Sequence, residues 1–238
     1  MFPHYQFVDT NGYKLPDDDK RGVQALYGSR TPPEPEDPDT LRHPSREQCS
    51  RSLVFDAAAS IRGDLYFFKN GYYWQKSTAF LGMLLVKVSS VWEEIQHVDA
   101  AYENPNDDKF FLFDGRQYWG IRAYAKTMIP GYPKLLTNLG LPSWLNKVDA
   151  AVYVTSIGKT LIFASNQYWS YDEARNQMDQ GYPRYITQDF PGIGSRVDAA
   201  FEAHGHLYFS NGPRLSEYYL PYRRVMRDLL NYSWLDCY

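Results

Sequence analysis

From residue 49 onward, hydrophobic and polar positions recur in one block used four times. Each copy opens on an aspartate followed by small residues: Phe55-Asp56-Ala57-Ala58, Val98-Asp99-Ala100-Ala101, Val148-Asp149-Ala150-Ala151 and Val197-Asp198-Ala199-Ala200. Successive aspartates are 43, 50 and 49 residues apart. An apolar run follows in each copy: Leu65-Tyr66-Phe67-Phe68, Phe110-Phe111-Leu112-Phe113, Leu161-Ile162-Phe163 and Leu207-Tyr208-Phe209. Turn pairs come next, at Asn70-Gly71, Asp114-Gly115, Ser165-Asn166 and Asn211-Gly212, and then aromatic strands at Tyr72-Tyr73-Trp74, Tyr118-Trp119, Tyr168-Trp169 and Tyr218-Tyr219. Asn-Gly or Asp-Gly between apolar runs predicts a hairpin, because a type I′ turn needs positive φ.

Repeats of about 40–50 residues, each holding several strands, are the mark of propeller blades. The fold class is therefore all-β, a four-bladed β-propeller over residues 49–238. A linear solenoid would need polar capping repeats, and none is evident.

Two unlike segments precede it. In residues 1–28, Asp17, Asp18 and Asp19 stand before an apolar pattern at Val23, Leu26 and Tyr27 that ends at Gly28. Carboxylates at its start and glycine after its end predict one short helix. So short a piece cannot bury a core of its own, and it reads as the remnant of something larger. Residues 29–48 hold Pro32, Pro33, Pro35, Pro38 and Pro44 among charges, which predicts an extended, semi-rigid hinge.

Composition supports the β reading: aromatic residues make up 17%, with 21 Tyr against 5 Met. A net charge of −3 argues against a nucleic-acid footprint. No apolar run approaches the ~20 residues of a membrane span. The start, Met1-Phe2-Pro3-His4, has neither the basic residues nor the apolar stretch of an export signal. The two cysteines, Cys49 and Cys237, flank the four repeats. Two buried thiols are one reading; a single bridge fastening the ends of a ring fits their placement better and implies an oxidising compartment. With no export signal in view, a chain that has lost its true N-terminus is then expected.

Alanine after each aspartate lets four inner strands approach one axis. Converging main-chain carbonyls would suit a hard cation such as Ca²⁺. The other reading is a packing signature, with each aspartate bonding backbone amides. The residues alone leave both open.

The whole chain, residues 1–238, resembles the C-terminal part of a matrix metalloproteinase, most closely the collagenase group. Beyond the four Asp-Ala starts, the resemblance rests on Gly131-Tyr132-Pro133-Lys134, Gly181-Tyr182-Pro183-Arg184, Asp189-Phe190-Pro191-Gly192-Ile193-Gly194, Asn211-Gly212-Pro213 and Ser233-Trp234-Leu235-Asp236-Cys237. The repeated module is called hemopexin-like there. Met1-Phe2-Pro3 is similar to the family's Met-turn, and residues 13–28 to the last helix of its zinc catalytic domain. No His-Glu-x-x-His occurs in these 238 residues.

The resemblance thus implies a secreted zinc endopeptidase of the extracellular matrix as parent. Zinc would lie only in the missing catalytic domain, and this chain would be inert alone. It implies an axial calcium held by the main-chain carbonyls of Asp56, Asp99, Asp149 and Asp198, with a second layer at Ala58, Ala101, Ala151 and Ala200. It also implies a collagen exosite at Ile61-Arg62-Gly63 together with Val91, where some members carry an aromatic before the Trp. The solvated hairpin edge is the plainer reading of Ile61 and Arg62. Fibrillar collagen and tissue inhibitors of metalloproteinases are the implied partners.

Other motifs are weaker. His204 and His206 alternate about Gly205 and would share one strand face, either as a metal pair or simply exposed. Glu93-Glu94 reads as a solvated helix start rather than paired acids. Asn231-Tyr232-Ser233 is a glycosylation sequon. Trp74, Trp119 and Trp169 read as inter-blade packing. Arg223, Arg224 and Arg227 form a modest basic cluster suited to acidic glycans. The alternatives to a protease recognition module are a free-standing hemopexin-like carrier of haem or adhesive ligands, and a short isoform that competes for collagen.

Overall fold

The computed structural model describes residues 18–19, 43–79 and 82–237. The chain divides into two units, Met1–Leu41 and Arg42–Tyr238. In the first, Asp18 and Asp19 are helical and exposed. Met1, the rest of the expected helix and residues 29–42 of the expected hinge lie outside the described residues.

The second unit begins upstream of the expected boundary at Cys49, because residues 43–48 hold onto the repeats. His43 packs edge-on against Tyr72 with ring centroids 4.8 Å apart. Gln48 donates to the Leu235 carbonyl at 3.1 Å and accepts from the Trp74 indole at 3.2 Å.

Four antiparallel sheets follow, one per repeat. The first holds β1 (Ala57–Ile61), β2 (Asp64–Lys69), β3 (Tyr72–Lys76) and β4 (Met83–Lys87), and the second β5 (Ala100–Asn104), β6 (Lys109–Asp114), β7 (Gln117–Arg122) and β8 (Lys134–Leu135). The third holds β9 (Ala150–Val154), β10 (Lys159–Ala164), β11 (Gln167–Asp172), β12 (Gln177–Met178) and β13 (Arg184–Tyr185). The last two of these share the outer edge of β11. The fourth holds β14 (Ala199–Ala203), β15 (His206–Asn211), β16 (Arg214–Tyr219) and β17 (Arg224–Leu230). The first strand of each sheet touches the first strand of its two neighbours, β1 to β5 to β9 to β14 and back to β1. The expected four-bladed ring is therefore closed.

Successive side chains on a strand point to opposite faces, so each inner strand serves two inter-blade seams. Ala57 packs into the seam between blades one and two, and Ala58 into the seam between blades four and one. The same division holds for Ala100 and Ala101, Ala150 and Ala151, and Ala199 and Ala200, all of them buried. Larger side chains here would push the narrow ends of the wedges apart. Further out, Trp74, Trp119 and Trp169 each fill one seam, as expected.

Blade four departs from the expected register. By their pairing with the apolar strand, the counterparts of Tyr73-Trp74 are Leu215-Ser216, not Tyr218-Tyr219. Its seam with blade three is filled instead by Tyr218, two residues further along the same face. The turn pairs of blades two and four also lie one residue later than expected, at Gly115-Arg116 and Gly212-Pro213.

Besides the Gln48 contacts, two further devices close the circle. Cys49 and Cys237 form a disulfide across 188 residues of sequence. Asn231, fully buried, donates to the carbonyls of Leu53 and Gly212, both at 2.9 Å, and accepts from the Ser210 hydroxyl at 3.1 Å. It thereby ties the loop that precedes blade one to a turn of blade four. Its amide nitrogen is committed, so the folded chain does not present it for glycosylation. That corrects the reading of Asn231 as an acceptor.

Between blades two and three sits a buried carboxylate without a cationic partner among the described residues. Glu173 accepts from Thr160 at 2.6 Å and from Asn104 at 3.2 Å. Burial pushes its pKa up, against the pull of these bonds. A carboxyl group whose folded pKa is raised favours the folded state when protonated, and that contribution is lost as pH rises through the folded pKa. The wild type should therefore lose stability relative to Glu173→Gln as pH climbs out of the ordinary carboxylate range. Urea unfolding across pH measures this, and parallel profiles would refute it. Reduction of Cys49–Cys237 should lower stability by roughly 2–5 kcal/mol, read as a fall in Tm.

Candidate functional site

The ring has an axis, and each inner strand begins at one mouth of it with its aspartate. The four aspartate side chains share one task. Asp56 accepts the backbone N–H of Asn70 at 2.7 Å, Asp99 that of Gly115 at 2.7 Å, Asp149 that of Ser165 at 2.7 Å, and Asp198 that of Gly212 at 2.6 Å. Each donor is the first residue of the turn that ends the blade's second strand, and each has positive φ. The carboxylate thus pins a turn that the backbone would not readily hold unaided.

The second carboxylate oxygens are engaged at three of the four positions. Lys69 reaches Asp56 at 3.3 Å, Lys147 reaches Asp149 at 3.2 Å and Arg196 reaches Asp198 at 3.0 Å. Among the described residues, no group of three or more His, Cys, Asp or Glu side chains is placed to hold a metal. The side-chain reading of the repeated aspartate is therefore the packing one. A hard cation on the axis would have to be held by main-chain oxygens, which this arrangement leaves to the inner strands.

The expected exosite is divided. Ile61 is 3% exposed and belongs to the core between blades one and two. Arg62 is exposed in the β1–β2 turn. Its N–H donates to Glu103 at 2.9 Å, and its guanidinium pairs with Asp108 at 3.3 Å and lies 5.1 Å from the centre of the Tyr124 ring. Val91 is exposed in a helical turn, α1 (Val88–Val91), whose first amide donates to Gly71 at the other end of β2. Ile61 cannot contact a ligand without leaving the core, so that part of the expectation is corrected.

The remaining candidates resolve simply. His204 and Gly205 form a tight turn and only His206 is on a strand, so the two imidazoles do not share a strand face. Glu93 and Glu94 follow α1 rather than start it, and are exposed. In the basic cluster, Arg227 pairs with Glu217 at 2.5 Å and Arg223 with Asp189 at 3.3 Å, so most of its charge is already balanced.

At the opposite mouth the axis opens into a cavity of about 560 Å³. Glu103 and Glu202 line it, each four residues past its blade's aspartate. No motif drew attention to them; the signal was present only as a shared offset from the repeat start.

The family model described as Hemopexin matches residues 55–97, 98–143 and 148–195, which are the first three blades. Stromelysin-1 of Mus musculus is 38% identical over 248 residues, covering 100% of this chain and 51% of its own length. Neutrophil collagenase of Homo sapiens is 39% identical over 239 residues, covering 100% and 49%. The chain thus spans about half the length of the curated relatives it matches. One percentage point separates the stromelysin from the collagenase, so overall similarity does not select between those groups. Among solved structures, the hemopexin fold protein CP4 from cow pea superposes with a TM-score of 0.63 at 17% identity, covering 76% of this chain and 95% of that one. That likeness concerns the fold alone.

Replacing Asp99 by Ala should cost about 1–3 kcal/mol by orphaning the Gly115 amide, whereas Asp99→Asn, which keeps an acceptor, should cost less. Denaturant midpoints of the two variants check this. Equal losses would show that the turn bond is not what the carboxylate supplies.

Proposed function

This chain belongs to the hemopexin-repeat family in the form carried by matrix metalloproteinases, and from that premise we propose that it is the substrate-recognition part of a secreted zinc metalloendopeptidase. The observation that carries the reading is the extent of the similarity. It runs over the whole chain, including the residues ahead of the propeller, where a free-standing carrier would have no use for it. The disulfide at the ring closure fits an extracytoplasmic site of action. Among the described residues, no helix is long and apolar enough to cross a membrane.

In this reading the propeller binds fibrillar collagen and holds it for a zinc domain outside these residues. Two linked modules on one substrate raise the effective concentration of the cleft near its target. Tissue inhibitors of metalloproteinases are a second class of partner. The collagen-facing group on blade one is Arg62, pre-set by Glu103, Asp108 and Tyr124, while Ile61 shapes the turn from beneath. Calcium on the axis is held through main-chain oxygens near Asp56, Asp99, Asp149 and Asp198, with Ala58, Ala101, Ala151 and Ala200 behind them. Carbonyl oxygens are hard ligands of the kind Ca²⁺ takes.

Two experiments test these claims. Arg62→Ala should weaken binding to immobilised triple-helical collagen by roughly tenfold with little change in Tm, while Ile61→Ala should cost about 2–5 kcal/mol of stability. Undiminished collagen binding by the Arg62 variant would remove that residue from the exosite, and no binding by the wild type would remove collagen as the ligand. Added Ca²⁺ should raise the Tm in chelator-treated protein, and Asp99→Asn should keep that response, since its carboxylate is not a ligand. A response abolished in that variant would return the side chain to the metal site.

A further inference from the structure

The mouth opposite the aspartates carries chemistry that the recognition role uses only in part, through one oxygen of Glu103. Its cavity has Ala59, Ala101, Ala151 and Ala200 along the inner strands, and Tyr102, Tyr153, Phe201 and Trp234 around them. The residues four past each blade aspartate are Ser60, Glu103, Tyr153 and Glu202. Blades two and four are opposed in the ring, so the two glutamates line the cavity from opposite walls.

Both carboxylates are half committed in the same way. Glu103 Oε2 accepts the Arg62 amide of the preceding blade at 2.9 Å, and Glu202 Oε2 accepts the Thr155 amide of the preceding blade at 2.8 Å. The second oxygen of each has no partner among the described residues. The one lysine lining the cavity, Lys76, is taken by Asp236 at 2.5 Å and by the Trp234 carbonyl at 3.3 Å. Burial pushes the Glu103 pKa up, as expected of a carboxylate without enough counter-charge.

This donor set favours some cations over others. A hard metal ion wants six or more oxygens, and two separated carboxylate oxygens do not supply them. A guanidinium is best met by both oxygens of one carboxylate, and one of each pair is already used. An ammonium is a compact charge that needs single acceptors, while the partly exposed rings of Tyr153 and Trp234 flank its alkyl stem. We propose that this mouth binds an organic ammonium group, the chemistry shared by a free alkylamine and the lysine side chain of a protein partner.

The test is titration of the full chain with 1-aminobutane hydrochloride, followed by calorimetry and by the Trp234 indole N–H resonance, with 1-butanol as the uncharged control. Saturable binding of one amine per chain, with no response to the alcohol, is expected. Glu103→Gln and Glu202→Gln should each weaken it roughly tenfold, about one charge-assisted hydrogen bond, and the double variant should abolish it. Glutamine keeps an acceptor for the Arg62 and Thr155 amides, and an unchanged melting curve would confirm that the variants fold. A blocked lysine tripeptide compared with its Nε-acetylated form separates the two sources. Tighter binding than the free amine, lost on acetylation, points to a protein lysine; binding of the free amine alone points to a small ligand. Equal response to butanol, wild-type affinity in the double variant, or no saturation would overturn the proposal. Because Glu103 also positions Arg62, the Glu202→Gln variant, whose carboxylate bonds Thr155 instead, separates amine binding from collagen binding.

Discussion

The structure depends on one constraint: four sheets must meet at an axis, and the last must reach the first. Each inner strand is flanked by two seams, and each seam takes an alanine from one strand and its neighbour from the next. Because packed interiors tolerate little change in volume, the width of these alanines sets how closely the strands can approach. The circle then has a single weak join, where sequence continuity is missing. The Cys49–Cys237 bond, the buried Asn231 and the Gln48 contacts all sit there. Three independent devices at one join show where the ring would otherwise open.

The same geometry divides labour within the repeated Asp-Ala unit. The aspartate side chain turns away to pin a hairpin of its own blade, and in three of the four blades it is also neutralised by a lysine or arginine. That leaves the backbone, not the carboxylate, to face whatever occupies the axis. The two mouths consequently differ in kind. One is headed by carboxylates each committed to a turn, three of them also paired with a cation. The other holds Glu103 and Glu202, each with one oxygen to spare.

The blade count, the hairpins, the disulfide and the tryptophan positions were legible because each follows from local pattern repeated at fixed spacing. Blade four was misread for an equally physical reason. Tyr218 lies on the same strand face as Ser216, so an aromatic two residues late can fill the same seam while the pattern appears merely shifted. Ile61 and Asn231 failed similarly. A motif names a residue type, but whether its side chain is at the surface or in a seam depends on the blade beside it.

The sequence by itself determined the four-fold β architecture and the place of its covalent join, since periodicity and the flanking cysteines are properties of one chain read in order. Only the tertiary structure decided what each repeated side chain does. It gave the aspartates to the turns, hid Ile61 and Asn231, separated His204 from the strand of His206 and set Glu103 opposite Glu202. The aspartate turns and the place of His204 are settled inside single blades, 14–16 residues apart for the aspartates. The burial of Ile61 and Asn231 and the facing of the two glutamates rest instead on contacts between segments distant in sequence, which exist only once the ring is closed.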